Sequence, residues 1–312
     1  MPELKATRDG YGEALVELGR TNSDVVVLCS DLTDSTRTNW FKKEFPDRFF
    51  EMGIAEQDMM NTAAGLSLAG KIPFASTFGV FASGRAWEQV RITICYANLN
   101  VKIGGSHGGI TVGADGATHQ GLEEIALMRI IPNMTVIVPC DAQETYKATM
   151  AAAGIFGPVY IRFGREKVPV ITKPDNPFTI GKAYTMRDGK DIAIIACGLM
   201  VSEALEAAGA LAKDGISARV INLHTIKPID QEAIVKAARE TGAVVTAEEH
   251  QVMGGMGSAV AEVVVRNFPV PMEMVGIQDR FGESGSAQEL LKAFGLTGFD
   301  IMRAAKEVLE RK

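Results

Sequence analysis

Short apolar, β-branched runs alternate along the chain with longer stretches that are apolar on one side only. DVVVLCS at 24–30, NVKIGG at 100–105, MTVIVPC at 134–140 and GPVYIRF at 157–163 predict strands. GYGEALVELGR, GRAWEQVRITICYA and DAQETYKATMAAAG between them predict helices. Strands this continuously apolar suit a parallel sheet covered by helices on both faces. After a stretch containing Pro169, Pro174 and Pro177 the alternation restarts: DIAIIACG, a helix over 199–215, ISARVINLHTIKPID, a helix over 231–242, AVVTAEEH, a helix over 254–268, then VPMEMVGIQ. The fold class expected is therefore α/β, with two doubly wound domains, each a mostly parallel sheet flanked by helices. The expected boundaries are 1–165 for the first domain, 166–190 for a linker and 191–312 for the second.

Length agrees with two domains, because 312 residues exceed the roughly 250–300 at which a single core stops growing. The net charge of −6 and the scattered basic residues give no footprint for nucleic acid or an anionic membrane. No apolar run approaches the roughly 18 residues of a membrane span, and the N-terminus has no signal-peptide core, so a cytoplasmic location is expected. Cys29, Cys95, Cys140 and Cys197 stand far apart in apolar settings and read as buried thiols of a reducing compartment.

Two segments carry candidate chemistry. In FFEMGIAEQDMM, residues 49–60, a glycine turn places Glu56 at the start of a helix; taken alone, this fits a surface acid in a first helical turn. In IGGSHGGITVGADGATHQGLEE, residues 103–124, His107, Asp115 and His119 share a loop with seven glycines, just past a predicted strand. Glycines there permit close backbone approach to a ligand at the carboxyl end of a sheet. Zinc bound by those three side chains would lack the usual ligand spacing, and a structural loop capped by polar groups remains open. Neither dinucleotide nor P-loop glycine patterns occur; GGMGSA at 254–259 fails at its third glycine.

Taken together, GIAEQ at 53–57, STF at 76–78, GADGATHQG at 113–121, RIIPNM at 129–134, and EEH at 248–250 with GGMGS at 254–258 resemble the pyrimidine-binding and C-terminal domains of transketolases. The resemblance implies transfer of a two-carbon ketol unit from a ketose phosphate to an aldose phosphate, with thiamine diphosphate as cofactor. It implies that Glu56 hydrogen-bonds the cofactor's aminopyrimidine, that Phe78 and Phe81 stack on it, and that Asp31 lies near it across a subunit interface. By the same resemblance His107 and His119 bind substrate oxygens, Asp115 reads the C2 hydroxyl, and Arg8, Ser35 and Arg165 bind the sugar phosphate.

Two departures stand out. Gly84 occupies the place of a third pocket aromatic, and Gln57 and Ala114 are closer to deoxyxylulose-phosphate synthases, although His107 favours transketolase. A 2-oxoacid dehydrogenase β subunit and a non-enzymatic scaffold are further alternatives. No G-D-G metal motif occurs, and the pyrimidine-type pattern begins within ten residues of Met1. The resemblance thus implies the C-terminal subunit of a split enzyme. Its N-terminal partner would hold the diphosphate and Mg2+ (or Ca2+), in a heterotetramer with two copies of each chain.

Overall fold

The computed structural model describes residues 3–312. Its strands, in chain order, are β1 (Leu4–Ala6), β2 (Val25–Cys29), β3 (Phe49–Glu51), β4 (Ile72–Phe78), β5 (Lys102–Ser106), β6 (Thr135–Ile137), β7 (Val159–Arg162), β8 (Lys167–Pro169), β9 (Tyr184–Arg187), β10 (Ile192–Ala196), β11 (Ala218–Asn222), β12 (Thr225–Lys227), β13 (Val244–Gln251) and β14 (Met272–Ile277). The first sheet has the order β12-β6-β7-β5-β4-β2-β3, the second β14-β13-β10-β11-β9, and β1 pairs with β8 alone. All ladders in the two large sheets are parallel except β12 on β6 and β9 on β11. Two mostly parallel sheets flanked by helices are thus present, as the alternating pattern predicts.

The lack of polar alternation has a direct cause in packing. In β2, Leu28 faces one core with Ala75, Ile103 and Tyr160, while Val27 and Cys29 face another with Phe74, Val159 and Ile161. Both faces are buried, so every position favours an apolar residue. The first of these cores runs on into the second half of the chain through Ile195, Ile221, Val244 and Val260. All four cysteines are buried free thiols.

Several elements differ from the sequence reading, among them β8 and β9, which lie inside the segment expected as a linker, with β9 joining the second sheet. IPFASTF at 72–78 is a central strand, β4, although Pro73 and its small residues hide it; it lies between β2 and β5. The apolar stretch 216–230 forms two strands rather than one, and the second, β12, leaves its own sheet to pair with β6. The helix expected over 84–97 is broken into wide π-type turns, Phe81–Arg85 and Val90–Tyr96, around a short α-helical turn, Trp87–Gln89. Such turns inside helical segments occur frequently at functional sites.

Candidate functional site

The chain steps from β2 outward to β3, then returns to place β4 on the other side of β2. At such a reversal of strand order the carboxyl ends of an open α/β sheet diverge and leave a crevice. Asp31 follows β2, Phe78 ends β4, His107 follows β5 and Arg165 follows β7, so the sequence-predicted residues gather along this edge.

Glu56 is the first residue of the helix Glu56–Leu68, entered through Gly53 at φ 69°. It is not a surface acid, since it is only 2% exposed. Its carboxylate accepts from Arg85 Nη1 at 3.0 and 3.2 Å, the counter-charge that burial of an anion demands. Arg85 in turn covers the ring of Phe81, with its guanidinium carbon 4.6 Å from the centroid. Phe78 and Phe81 lie nearly parallel at 6.0 Å, and Phe78 stacks on His107 at 4.0 Å. His119 meets Phe81 edge-on at 5.5 Å. Phe78, at the end of a strand, is buried between His107 and Phe81, while Phe81, in a π-type turn, is half-buried beneath Arg85. Beside them Gly84 is exposed, with nothing within 4 Å of the place a Cβ would take.

The two histidines are held alike. Ser106 Oγ lies 2.7 Å from His107 Nδ1, and Thr118 Oγ1 lies 2.8 Å from His119 Nδ1. Burial, followed by the charges of Arg8, Arg165 and Arg37, pushes the His107 imidazole down to about 3, so it is neutral at physiological pH. A neutral ring can hydrogen-bond a hydroxyl without bringing a charge.

The same three arginines form a basic cluster. Arg8 Nη1 donates to the Ser35 carbonyl at 3.1 Å, while its buried Nε has no partner among the described residues. Burial, and next the Arg37 guanidinium, lower Arg8 from the ordinary arginine range. Arg165 Nη1 donates to Val112 O at 2.8 Å and meets Asp115 Oδ1 at 3.3 Å, so the residues expected to read a hydroxyl and a phosphate touch each other. Asp31 is exposed, and its N–H donates to Glu51 Oε1 at 2.8 Å.

Arg37 and Arg85 escaped the sequence reading. Arg37 Nε is paired with Asp9 at 2.7 Å, and its backbone supplies a signal that the sequence does not. Among the described residues six non-glycine residues have positive φ, and three of them, Asp31 at 54°, Arg37 at 65° and His107 at 55°, belong to this edge. Sparsely populated backbone conformations cluster at functional sites. Among the described residues no three His, Cys, Asp or Glu side chains converge as metal ligands would.

Comparison with known proteins places this geometry. Residues 3–170 match the transketolase pyrimidine binding domain and residues 181–301 the transketolase C-terminal domain. The chain is 49% identical over 311 residues to a putative transketolase C-terminal section of Methanocaldococcus jannaschii, covering 99% of this chain and 98% of that one. It is 46% identical to a 6-deoxy-6-sulfo-D-fructose transketolase subunit of Clostridium sp. (strain MSTE9), covering 98% and 95%. Among solved structures, a split-gene transketolase described as an inactive beta4 tetramer has 54% identity and a TM-score of 0.92, with 98% of each chain covered. With both domain types matched in chain order and full-length relatives at this identity, the chain belongs to the transketolase family.

Proposed function

We propose that this chain is the C-terminal subunit of a split transketolase and moves a two-carbon ketol unit from a ketose phosphate to an aldose phosphate. The observation that carries the reading is the juxtaposition of two sites around His107. On one side stand a buried carboxylate and an aromatic pair, and on the other a basic cluster whose Arg8 Nε is buried without a partner among the described residues. An orphaned buried donor is costly, and an incoming anion would satisfy it.

The residues fit the family's cofactor. Glu56 would hold a polar edge of the aminopyrimidine, Phe78 and Phe81 would meet its face, and exposed Asp31 would approach it from the end of β2. When bound, thiamine diphosphate supplies the electron sink that C–C cleavage beside a carbonyl requires. Arg85 would yield its place on Glu56, for which its exposed position suits it.

Toward the sugar, neutral His107 and His119 would bind substrate oxygens and Asp115 the C2 hydroxyl. Arg8, Ser35 and Arg165, joined by Arg37, would bind the terminal anion. One relative is named for a sulfo sugar and another, of Phocaeicola vulgatus, for apulose 4-phosphate. An arginine cluster reads an anionic oxygen group of either kind, so the ketose phosphate is proposed as the class and not as one sugar. The diphosphate and its Mg2+ or Ca2+ are assigned to an N-terminal partner subunit, two copies of each chain making the working unit.

The test is assembly of this chain with its N-terminal partner, thiamine diphosphate and Mg2+, assayed with xylulose 5-phosphate and ribose 5-phosphate. Activity that appears only on mixing and saturates near one to one is expected. Full activity from this chain alone would overturn the split reading, and consumption of pyruvate in place of ketose would favour a deoxyxylulose-phosphate synthase.

A further inference from the structure

The motif EEH closes β13, in the C-terminal half, and its three side chains accept hydrogen bonds at three different helix starts. Glu248, itself buried, takes Met256 N at 2.6 Å and Gly257 N at 2.7 Å, in the first turn of the helix Met256–Asn267. Glu249 Oε1 takes Thr111 N at 2.6 Å, in the turn Ile110–Asp115. His250 Nδ1 lies 2.7 Å from Gln251 O and so carries the proton, which leaves Nε2 to accept from Ala126 N at 3.4 Å, in the helix Glu124–Arg129. The first of these contacts stays within the C-terminal half. The other two cross to the glycine-rich loop and the helix that follows it.

Glu249 reaches the loop at its neck. Gly109 N donates to Gly121 O at 2.7 Å, and Gly108 bridges Gly121, so residues 108–121 form a closed loop. At Gly109, φ is 92° and a Cβ would fall 2.2 Å from Glu249 Cδ, so the carboxylate fills the space that a side chain would take. Beneath the neck lies Arg162, with Nε donating to Glu124 Oε1 and Nη2 donating to Glu249 O at 2.7 Å; all three side chains are buried. Also at the neck, Gln120 Nε2 donates to Ile110 O at 3.1 Å within the loop and to Glu283 O at 2.8 Å in the C-terminal half.

We propose that Glu249 is a positioning residue for the ketose: by holding the Thr111 amide above Arg162 it fixes the closed loop on whose ends and rim His107, Asp115 and His119 stand. This deepens the assignment of that loop to the sugar and rests on it. The elements given to the cofactor, the helix Glu56–Leu68, β4 and the turn Phe81–Arg85, donate no hydrogen bond to the Glu249 carboxylate. Loss of its carboxylate is therefore expected to act first on the sugar side, reaching the cofactor side only through the stacking of His107 on Phe78.

The test uses the complex with the N-terminal partner and compares wild type, Glu249→Ala and Glu249→Gln. Glu249→Ala is expected to raise KM for the ketose phosphate about tenfold or more, since ångström-scale misplacement is costly, with kcat less affected. Thiamine diphosphate affinity should stay within about twofold, and Glu249→Gln, which keeps an oxygen for the Thr111 amide, should recover most of the loss. Hydrogen exchange in Glu249→Ala should accelerate in 108–121 while β10 in the C-terminal core keeps its protection. This readout needs no turnover, so it judges the loop contact even where the wild-type complex fails to transfer a ketol unit, a result that would instead sink the activity assigned above. Gly109→Ala attacks the same contact from the loop side and is expected to give the same split, which keeps the question decidable should Glu249→Ala fold poorly. An unchanged KM in a folded Glu249→Ala protein, a parallel loss of cofactor affinity, or exchange accelerating equally in β10 would overturn the proposal.

Discussion

The two sides of the crevice are built in opposite ways. Around Glu56 the support is thin and turned outward: Arg85, its counter-ion, is 49% exposed and Ile54, two residues before it, is 74% exposed. Around the glycine-rich loop the support is deep, with Glu124, Arg162, Glu249 and Gln120 all buried and drawn from both halves of the chain. Arg162 is tied to Glu124 and to the Glu249 carbonyl, and Gln120 Nε2 to Glu283 O, although Glu124 Oε2 and Gln120 Oε1 have no partner among the described residues; bonds of this kind, out of reach of water, suit a part that must keep one shape. A buried carboxylate whose counter-ion and apolar neighbour are exposed suits a part whose second wall comes from elsewhere. On our reading the chain itself shapes the sugar side and shares the cofactor side with its partner.

The largest expected effect tests the exposed side. Glu56→Gln keeps the shape and removes the titratable carboxylate, and turnover should fall by about 10²–10⁴, the range for losing acid–base help. Near wild-type kcat at saturating cofactor would remove Glu56 from that role. Next comes the basic cluster: Arg8→Gln should raise KM for a phosphorylated donor by about 10–100-fold, as loss of a charge-assisted hydrogen bond predicts. KM for an unphosphorylated ketose should barely move, and equal losses for both donors would mean that Arg8 does not read the anion. Smaller is the effect at the rim, where Ile54→Asp should weaken association with the N-terminal subunit about tenfold, as for a modest interface residue. Titration calorimetry checks it, and an unchanged dissociation constant would place the partner on another surface.

The smallest effect concerns pH. Burial holds His107 at about 3 against an ordinary value of 6.5. Between those values the unfolded chain binds a proton that the folded chain excludes, so folding stability falls as pH drops through this window and is fully present above it. In His107→Asn the melting temperature should decline less steeply between pH 6.5 and 4, and an identical decline in both proteins would show that the ring is not held neutral.

Much of this was legible in the sequence. The β-branched runs marked β2, β5, β7, β10 and β13, because strands buried on both faces leave an unbroken apolar record. The family motifs brought Phe78, His107 and His119 to one place without any contact being known. What stayed hidden was decided by tertiary partners. IPFASTF reads poorly as a strand because Pro73 argues against a central position, yet β4 carries Phe78. Arg85 lay in a segment that read as one regular helix, and its value depends on the π-type turn that brings it to Glu56. Arg37 carried no motif, and only its left-handed backbone and its neighbours Asp9 and Arg8 mark it. Glu249 stood inside a quoted motif, but nothing in EEH tells that consecutive side chains serve different helices.

The strand β12 sets a limit on how this molecule can be taken apart. Thr225–Lys227 sits well inside the C-terminal half but closes the outer edge of the first sheet, antiparallel to β6. A protein cut between the sheets, or a chimera joining the first half to a foreign second half, would leave the β6 edge with unpaired backbone groups and open to pairing between molecules. Recombination within the family can therefore exchange the halves cleanly only if the three residues after His224 remain compatible with β6, which makes this short strand the natural checkpoint for any engineered hybrid.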